Sequence, residues 1–325
     1  MSDILADIGP ITLAEIEAAR TRIAGTIVRT PLVKLELGSS HRDIYLKLEN
    51  LQPINSFKLR GAANAVAMLA PDRRADGVWT ISAGNAGQGV AFAARKAGVP
   101  CTVVTIETAP ETKIERMRAL GATIVKAPFD ACWEALERRT FPGLNATFVH
   151  PFDDDDFIAG NATMGLEILE DLPDVAVVIA AFGGGGLVGG IASAIKPRAP
   201  HVRVFGAEPE TAAPAARSFA SDAAATFEGW QVSFVDGAGG KSVFPRMWER
   251  IKDIVDGSIV VSLDETKRAM RILAEKARVI AEGAGALPVA AALSGRVEGD
   301  GPIVAVISGG NIDLGKFCEL IGSVG

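Results

Sequence analysis

The chain has 325 residues, is 48% hydrophobic and carries a net charge of −6 at neutral pH. That length suggests about two domains around a sizeable core, and an acidic balance without a basic stripe excludes nucleic acid as the main partner. No run approaches the roughly 18 consecutive apolar residues of a membrane span, and Met1-Ser2-Asp3 lacks the regions of a signal peptide, so a cytoplasmic protein with a small-molecule partner is expected.

Ile44-Tyr45-Leu46-Lys47-Leu48 alternates like a half-buried strand, and Asn50 to Ser56, with Pro53, reads as a loop ending in a helix cap. Lys58 then falls in the first helical turn of Asn55-Ser56-Phe57-Lys58-Leu59-Arg60-Gly61-Ala62. The positive end of the helix dipole and any apolar cover both disfavour an ammonium there. Its amine can therefore be nucleophilic near neutral pH, as Schiff-base chemistry requires. A solvated surface lysine is the plain alternative.

Val78 to Ile81, Cys101 to Ile106, Ala122 to Val125 and Thr147 to Val149 read as strands. Helices are expected from about Gly87 to Ala97, Glu111 to Leu120 and Asp130 to Thr140, with Gly98 and Gly121 as stops. A second series runs through Val175 to Ala181, Val202 to Ala207, Ile259 to Val261 and Ile303 to Ile307, strands expected to be buried on both faces. Strands alternating with glycine-terminated helices predict an α/β fold of parallel βαβ units. No low-complexity linker or solenoid repeat interrupts it. Cys101, Cys132 and Cys318 are odd in number and far apart, which indicates neither a disulfide framework nor a cysteine-based zinc site. With only His41, His150 and His201, histidine catalysis has few candidates.

In doubly wound sheets ligands bind where strands end, and three turns stand out there. Ser82-Ala83-Gly84-Asn85-Ala86-Gly87-Gln88-Gly89 offers backbone amides and small polar groups suited to a carboxylate or a ring hydroxyl, though it can also be a plain tight turn. Gly183-Gly184-Gly185-Gly186-Leu187 follows the most apolar strand and opens a helix, so its unshielded amides can wrap a phosphate. Gly184, Gly186 and Gly189 also satisfy G-x-G-x-x-G with Glu208 about 20 residues on, so an NAD-dependent oxidoreductase stands as a rival. Ser308-Gly309-Gly310-Asn311 can present the Ser308 hydroxyl to a ligand or simply cap a helix.

The lysine segment and these three turns, in this order and across nearly the whole chain, resemble the pyridoxal-phosphate-dependent serine/threonine dehydratase family, which includes serine racemases. Thr30-Pro31-Leu32, His150-Pro151-Phe152-Asp153, Gly206-Ala207-Glu208-Pro209 and Glu282-Gly283-Ala284-Gly285 support the resemblance. It implies two doubly wound, mainly parallel open sheets with the cofactor, pyridoxal 5′-phosphate, in the cleft between them. Residues 1–52 and 152–325 would form the larger, cofactor-binding domain and 53–151 the smaller, with no regulatory domain and a homodimer or tetramer as the assembly. Lys58 would bind the cofactor covalently and carry the Cα proton, Phe57 would pack on the ring, and Asn85 would bond its hydroxyl. The Gly183, Gly184, Gly185, Gly186 and Leu187 amides would hold the phosphate, and Ser308 would meet the pyridine nitrogen. Ser82, Ala83, Asn85, Ala86 and Gly237 would surround an amino-acid substrate. The implied reaction is loss of a β-hydroxyl from L-threonine, L-serine or a bulkier analogue such as β-phenylserine, giving a 2-keto acid and ammonia. A racemase, a synthase adding a nucleophile in place of the hydroxyl, and a non-catalytic cofactor-binding protein remain as alternatives.

The chain departs from the family pattern at several points. Ala83 stands where racemases of the family carry a serine acid/base, so dehydration without racemisation is expected. Ala86 and Gly87 are small, which suggests either neutral drift or room for a bulky β-substituent. Pro214 replaces the aspartate that joins a glutamate, here Glu208, at a divalent cation in some members; no metal is expected, with Glu210 left as the alternative ligand. Asp153 to Asp156 reads as a solvated loop starting a helix, and Gly160-Asn161-Ala162-Thr163 departs from Gly-Gln-Gly-Thr without an evident consequence.

Overall fold

The structure, a computed structural model, describes residues 8–38 and 42–324; Met1 to Asp3 and His41 lie outside the described residues. Among the described residues ten strands fall in chain order as β1 (Leu32–Leu35), β2 (Ile44–Lys47), β3 (Val78–Ile81), β4 (Cys101–Ile106), β5 (Thr123–Ala127), β6 (Thr147–Phe148), β7 (Val177–Ala181), β8 (Arg203–Pro209), β9 (Ser258–Val261) and β10 (Ile303–Val306). They form a six-stranded sheet ordered β1-β2-β10-β7-β8-β9 and a four-stranded sheet ordered β5-β4-β3-β6. All pairings are parallel except β1 with β2. The α/β class with two mainly parallel sheets is as the sequence implied.

The continuous apolar runs have a simple cause. Along β7, Val178 and Ala180 enter one core while Val177, Ile179 and Ala181 enter another on the opposite face, and β10 splits Val304 and Val306 from Ile303 and Ala305 in the same way. Both faces are covered by helices, so a period of two has no polar side to show. The expectation of two buried faces fails at β9, where Ser258 and Val260 are only partly buried because it is an edge strand. Gly98 ends the helix Asn85–Ala97 in the left-handed conformation, at φ 67°. The helix expected to reach Thr140 is Phe129–Arg138, stopped by Arg139 at φ 56°. The first glycine turn is shorter than expected, because its helix begins at Asn85 rather than Gly87.

A buried charge cluster fixes the helix that carries the lysine. Arg60 donates to Glu49 at 2.8 Å and to Glu167 at 2.7 Å, while Lys47 on β2 donates to Glu167 at 2.6 Å. Two cations face two anions, all out of contact with water, so removing one partner strands a charge. The Gly-Asn-Ala-Thr departure gains a consequence here. Asn161 accepts the Gly61 amide at 3.1 Å, Thr163 accepts from Arg60 at 3.1 Å, and a methyl on Gly160 would lie 2.3 Å from the Arg60 carbonyl. This segment of Asp155–Asp171 clasps Lys58–Ala67 at its first turn.

Candidate active site

The crevice between the sheets opens at the carboxyl ends of β3, β7 and β10, and β10 lies between β2 and β7, where the chain order reverses. A cavity of about 440 Å³ occupies it, within the range of small-molecule sites. Its wall includes Phe57, Lys58, Ser82, Ala83, Asn85, Ala86, the Gly183 to Leu187 turn, Gly237 and Ser308. The structure thus brings every residue of the expected site to one cavity.

Lys58 begins the helix Lys58–Ala67. Ser56 does not cap it as expected, because a bridge to Gly309 holds Ser56 and turns its hydroxyl to the Ser308 carbonyl at 3.3 Å. The Lys58 amide reaches that hydroxyl only at 3.4 Å. Part of the Lys58 side chain remains open to the cleft, yet its amine is enclosed by protein, and this desolvation lowers its pKa to about 8. The amine donates to the Pro151 carbonyl at 2.5 Å and lies 5.2 Å from the Phe57 ring and 5.4 Å from that of Phe157. His150 orders the backbone that follows this carbonyl by accepting the Phe152 and Asp153 amides. Burial, helped by the Arg139, Lys58 and Arg246 charges, pushes its pKa to about 2, and Nδ1 accepts the Asp153 amide at 3.0 Å.

The second turn is a cradle only glycine can form. Gly185 has φ +86°, and a methyl on Gly184 would sit 2.3 Å from the Phe152 ring. The helix Gly186–Ile195 starts there, so bare amides and the positive end of a helix dipole face the cavity. An amine of depressed pKa opposite an amide cradle at a helix start fits pyridoxal phosphate, whose aldehyde and phosphate need those two partners. The dinucleotide rival loses its acidic residue. Glu208 accepts the Ala215 and Ala216 amides, each at 2.8 Å, and the Ser258 hydroxyl at 2.7 Å. Those three donors suit an anion and repel a cation, so the residues do not fit a metal either. Glu210 uses its Oε1 to accept the Leu263 amide at 2.9 Å.

Two further expectations change. Gly87 gives the cavity no room, for a methyl on it would meet Met117 Sδ at 2.5 Å and Val103 at 3.1 Å inside the core. Asp154 caps its helix by accepting the Phe157 amide at 2.8 Å, as a helix start should, but Asp153 is buried rather than solvated, held by Arg139 at 3.0 Å and Arg246 at 3.1 Å.

Asp236, in the turn expected near the substrate, lines the cavity, and so do two residues the sequence reading did not place there, Lys113 and Glu282. Lys113, on the helix Glu111–Ala119, pairs with Asp236 across the cavity mouth. Glu282 accepts from Asn85 Nδ2 at 2.7 Å, Asn85 Oδ1 accepts from Asn311 at 2.8 Å, and Asn311 Oδ1 accepts from Arg116 at 3.0 Å. Burial, with Asp236 nearby, raises the Glu282 pKa to about 7. A lone carboxylate in Ala281-Glu282-Gly283-Ala284-Gly285-Ala286-Leu287 is the available signal, since an acid in an apolar run needs a buried partner.

Comparison with known proteins agrees with this geometry. A family model described as pyridoxal-phosphate dependent enzyme matches residues 23–309. The chain is 42% identical over 319 residues to an L-threonine ammonia-lyase of Thermotoga maritima, covering 96% of this chain and 78% of that protein. It is 39% identical over 320 residues to a catabolic L-threonine dehydratase of Staphylococcus aureus, covering 96% and 92%. Maize serine racemase has a TM-score of 0.89 to this fold at 31% identity, covering 97% of this chain and 98% of that one.

Proposed function

The chain belongs to the pyridoxal-phosphate-dependent enzyme family, and from that premise we infer that it is an ammonia-lyase, deaminating a β-hydroxy amino acid to a 2-keto acid and ammonia by β-elimination. The observation that carries this is the Lys58 amine, partly neutral near pH 8, sharing one cavity with an amide cradle. Relatives that act on L-threonine cover nearly the whole chain. When bound, the cofactor supplies an electron sink that makes the Cα hydrogen of an amino acid acidic. Lys58 holds the cofactor's carbon end and moves a proton at Nζ, a role its lowered pKa suits. The Gly183 to Leu187 amides hold the phosphate, Asn85 the ring hydroxyl, Ser308 the ring nitrogen and Phe57 the ring face. Ser82 and the amides of its turn hold the substrate carboxylate; its hydroxyl already orders the turn by accepting the Gly84 amide at 3.0 Å.

The substrate's β-substituent is larger than the methyl of threonine. Ala83 and Ala86 are small and share the cavity wall with the apolar Ile81, Ile106, Pro110 and Leu136. Each extra buried methylene in such a wall is worth about 1 kcal/mol or more of discrimination. The expected result is a kcat/KM for β-phenylserine at least about 10-fold above that for L-threonine; a preference for threonine removes the enlarged-pocket reading. Ala83 has no proton to give, so chiral chromatography should show keto acid formed without racemised substrate, and comparable racemisation would reverse the assignment. The protein acts in the cytoplasm as a homo-oligomer. Leu51 and Ile280 are exposed apolar side chains, on segments joined where Asn50 reaches the Ile280 carbonyl at 3.5 Å. Light scattering should give a mass above the 33.9 kDa of one chain, and a monomer at working concentration would refute this.

A further inference from the structure

We propose that Glu282 is a positioning residue: it closes a four-member hydrogen-bond chain that leaves Asn85 a single free amide hydrogen, aimed into the cavity. This rests on the functional reading above, in which Asn85 meets the cofactor's ring hydroxyl.

The argument is one of donors and acceptors. Arg116 can only donate, and it donates to Asn311 Oδ1 at 3.0 Å, which leaves the Asn311 nitrogen outward. That nitrogen has two hydrogens, and both are used: one reaches the Ile54 carbonyl at 2.8 Å and the other Asn85 Oδ1 at 2.8 Å. Asn85 therefore has its oxygen occupied, and its own nitrogen gives one hydrogen to Glu282 Oε1 at 2.7 Å. An asparagine amide turned the other way would place oxygen against oxygen at Glu282 and nitrogen against nitrogen at Asn311. The orientation that crystallography commonly leaves to inference is fixed here by an obligate donor at one end and a carboxyl oxygen at the other.

The chain spans the cleft. Arg116 comes from the helix Glu111–Ala119 over the small sheet, Asn311 from the turn after β10, Asn85 from the start of Asn85–Ala97, and Glu282 from the residue before Gly283–Leu293. Glu282 is itself held, since its amide donates to the Gly309 carbonyl at 3.1 Å. A methyl at Gly309 would lie 2.4 Å from Glu282 Oε1, so the carboxyl group has little freedom to leave Asn85. Protonation does not break the arrangement. With the pKa raised to about 7 by burial and then by Asp236, both forms of Glu282 exist near neutrality, and Oε1 keeps a lone pair in each.

Glutamine preserves the acceptor and alanine removes it, so the two substitutions separate positioning from charge. Titration of cofactor-free protein with pyridoxal phosphate, followed by tryptophan fluorescence, reads the effect without turnover. Glu282→Ala should raise Kd about 10-fold or more, as expected for a lost bond to a buried carboxyl group, while Glu282→Gln should stay within about 3-fold of the parent. In an Asn85→Ala background, Glu282→Ala should cost little further, because the two act as one unit. Should the alanine variant fail to fold, Glu282→Asp, which withdraws the acceptor by one methylene, takes its place. Equal losses with and without Asn85, or a glutamine variant as weak as the alanine one, would overturn the proposal. A parent protein that takes up no pyridoxal phosphate would overturn the functional reading instead.

Discussion

Replacing Lys58 with alanine is expected to lower deamination by at least about 10³-fold, the scale on which covalent and proton-transfer roles fall when one group serves both. The fold should survive. Lys58 donates one hydrogen bond, to the Pro151 carbonyl, and its removal strands no opposite charge, in contrast to Arg60 in its cluster of four. The same residue sets a pH dependence whose sign follows from burial. Enclosure disfavours the ammonium and brings the pKa down to about 8, so the amine is mainly protonated below that pH and mainly neutral above it. Only the neutral form can attack an aldehyde. The rate at which cofactor-free protein captures pyridoxal phosphate covalently, followed by stopped-flow absorbance, should rise as pH approaches about 8 and level off beyond it. A solvated lysine would keep rising toward its ordinary pKa of about 10.4. That outcome would remove Lys58 from the role.

The second large effect is expected from Gly186→Ala, one methyl group in the cradle. The added carbon would lie 2.4 Å from the carbonyl oxygen of Phe152, which is backbone and cannot rotate away. The Phe152 segment is held in turn, since His150 Nδ1 accepts the amides of both Phe152 and Asp153. The loop must therefore shift, and its neighbour Gly185 is already packed against Met247 and Phe182, where an added carbon would lie 2.6 and 3.2 Å away. Overpacking of this kind costs about 1–3 kcal/mol. The displaced amides should weaken cofactor binding by about 10-fold or more, roughly 1.4 kcal/mol per decade. A useful control is Gly25→Ala, where nothing lies within 4 Å of the added carbon. Equilibrium titration of both variants decides the matter; equal affinities would mean that the amides of this turn do not carry the phosphate.

The fold was legible because its signals are local. An apolar run with no polar face, as in β7, reports burial on both sides, and the residues after each strand report where a chain must turn tightly. Lys58, Asn85, the glycine turn and Ser308 each sit in such a local pattern, and their order along the chain was enough to suggest a common site. The rest of the cavity is built by contacts across long stretches of chain. Asn85 meets Glu282 across 197 residues and Asn311 across 226, separations over which no periodicity in the sequence can act. Gly87 illustrates the opposite error, a small residue read as free space that in fact admits Met117 into the core. Smallness in a sequence marks a close approach, and only the packing says of what.

The central claim is that the Lys58 amine is the covalent anchor for pyridoxal phosphate. Borohydride reduction of the loaded protein followed by peptide mass mapping tests it most directly, because reduction makes the attachment permanent and the peptide names the residue. The account predicts one pyridoxyl group per chain, on Lys58. A label on a different lysine, or a protein that binds the cofactor without any reducible attachment, would contradict it.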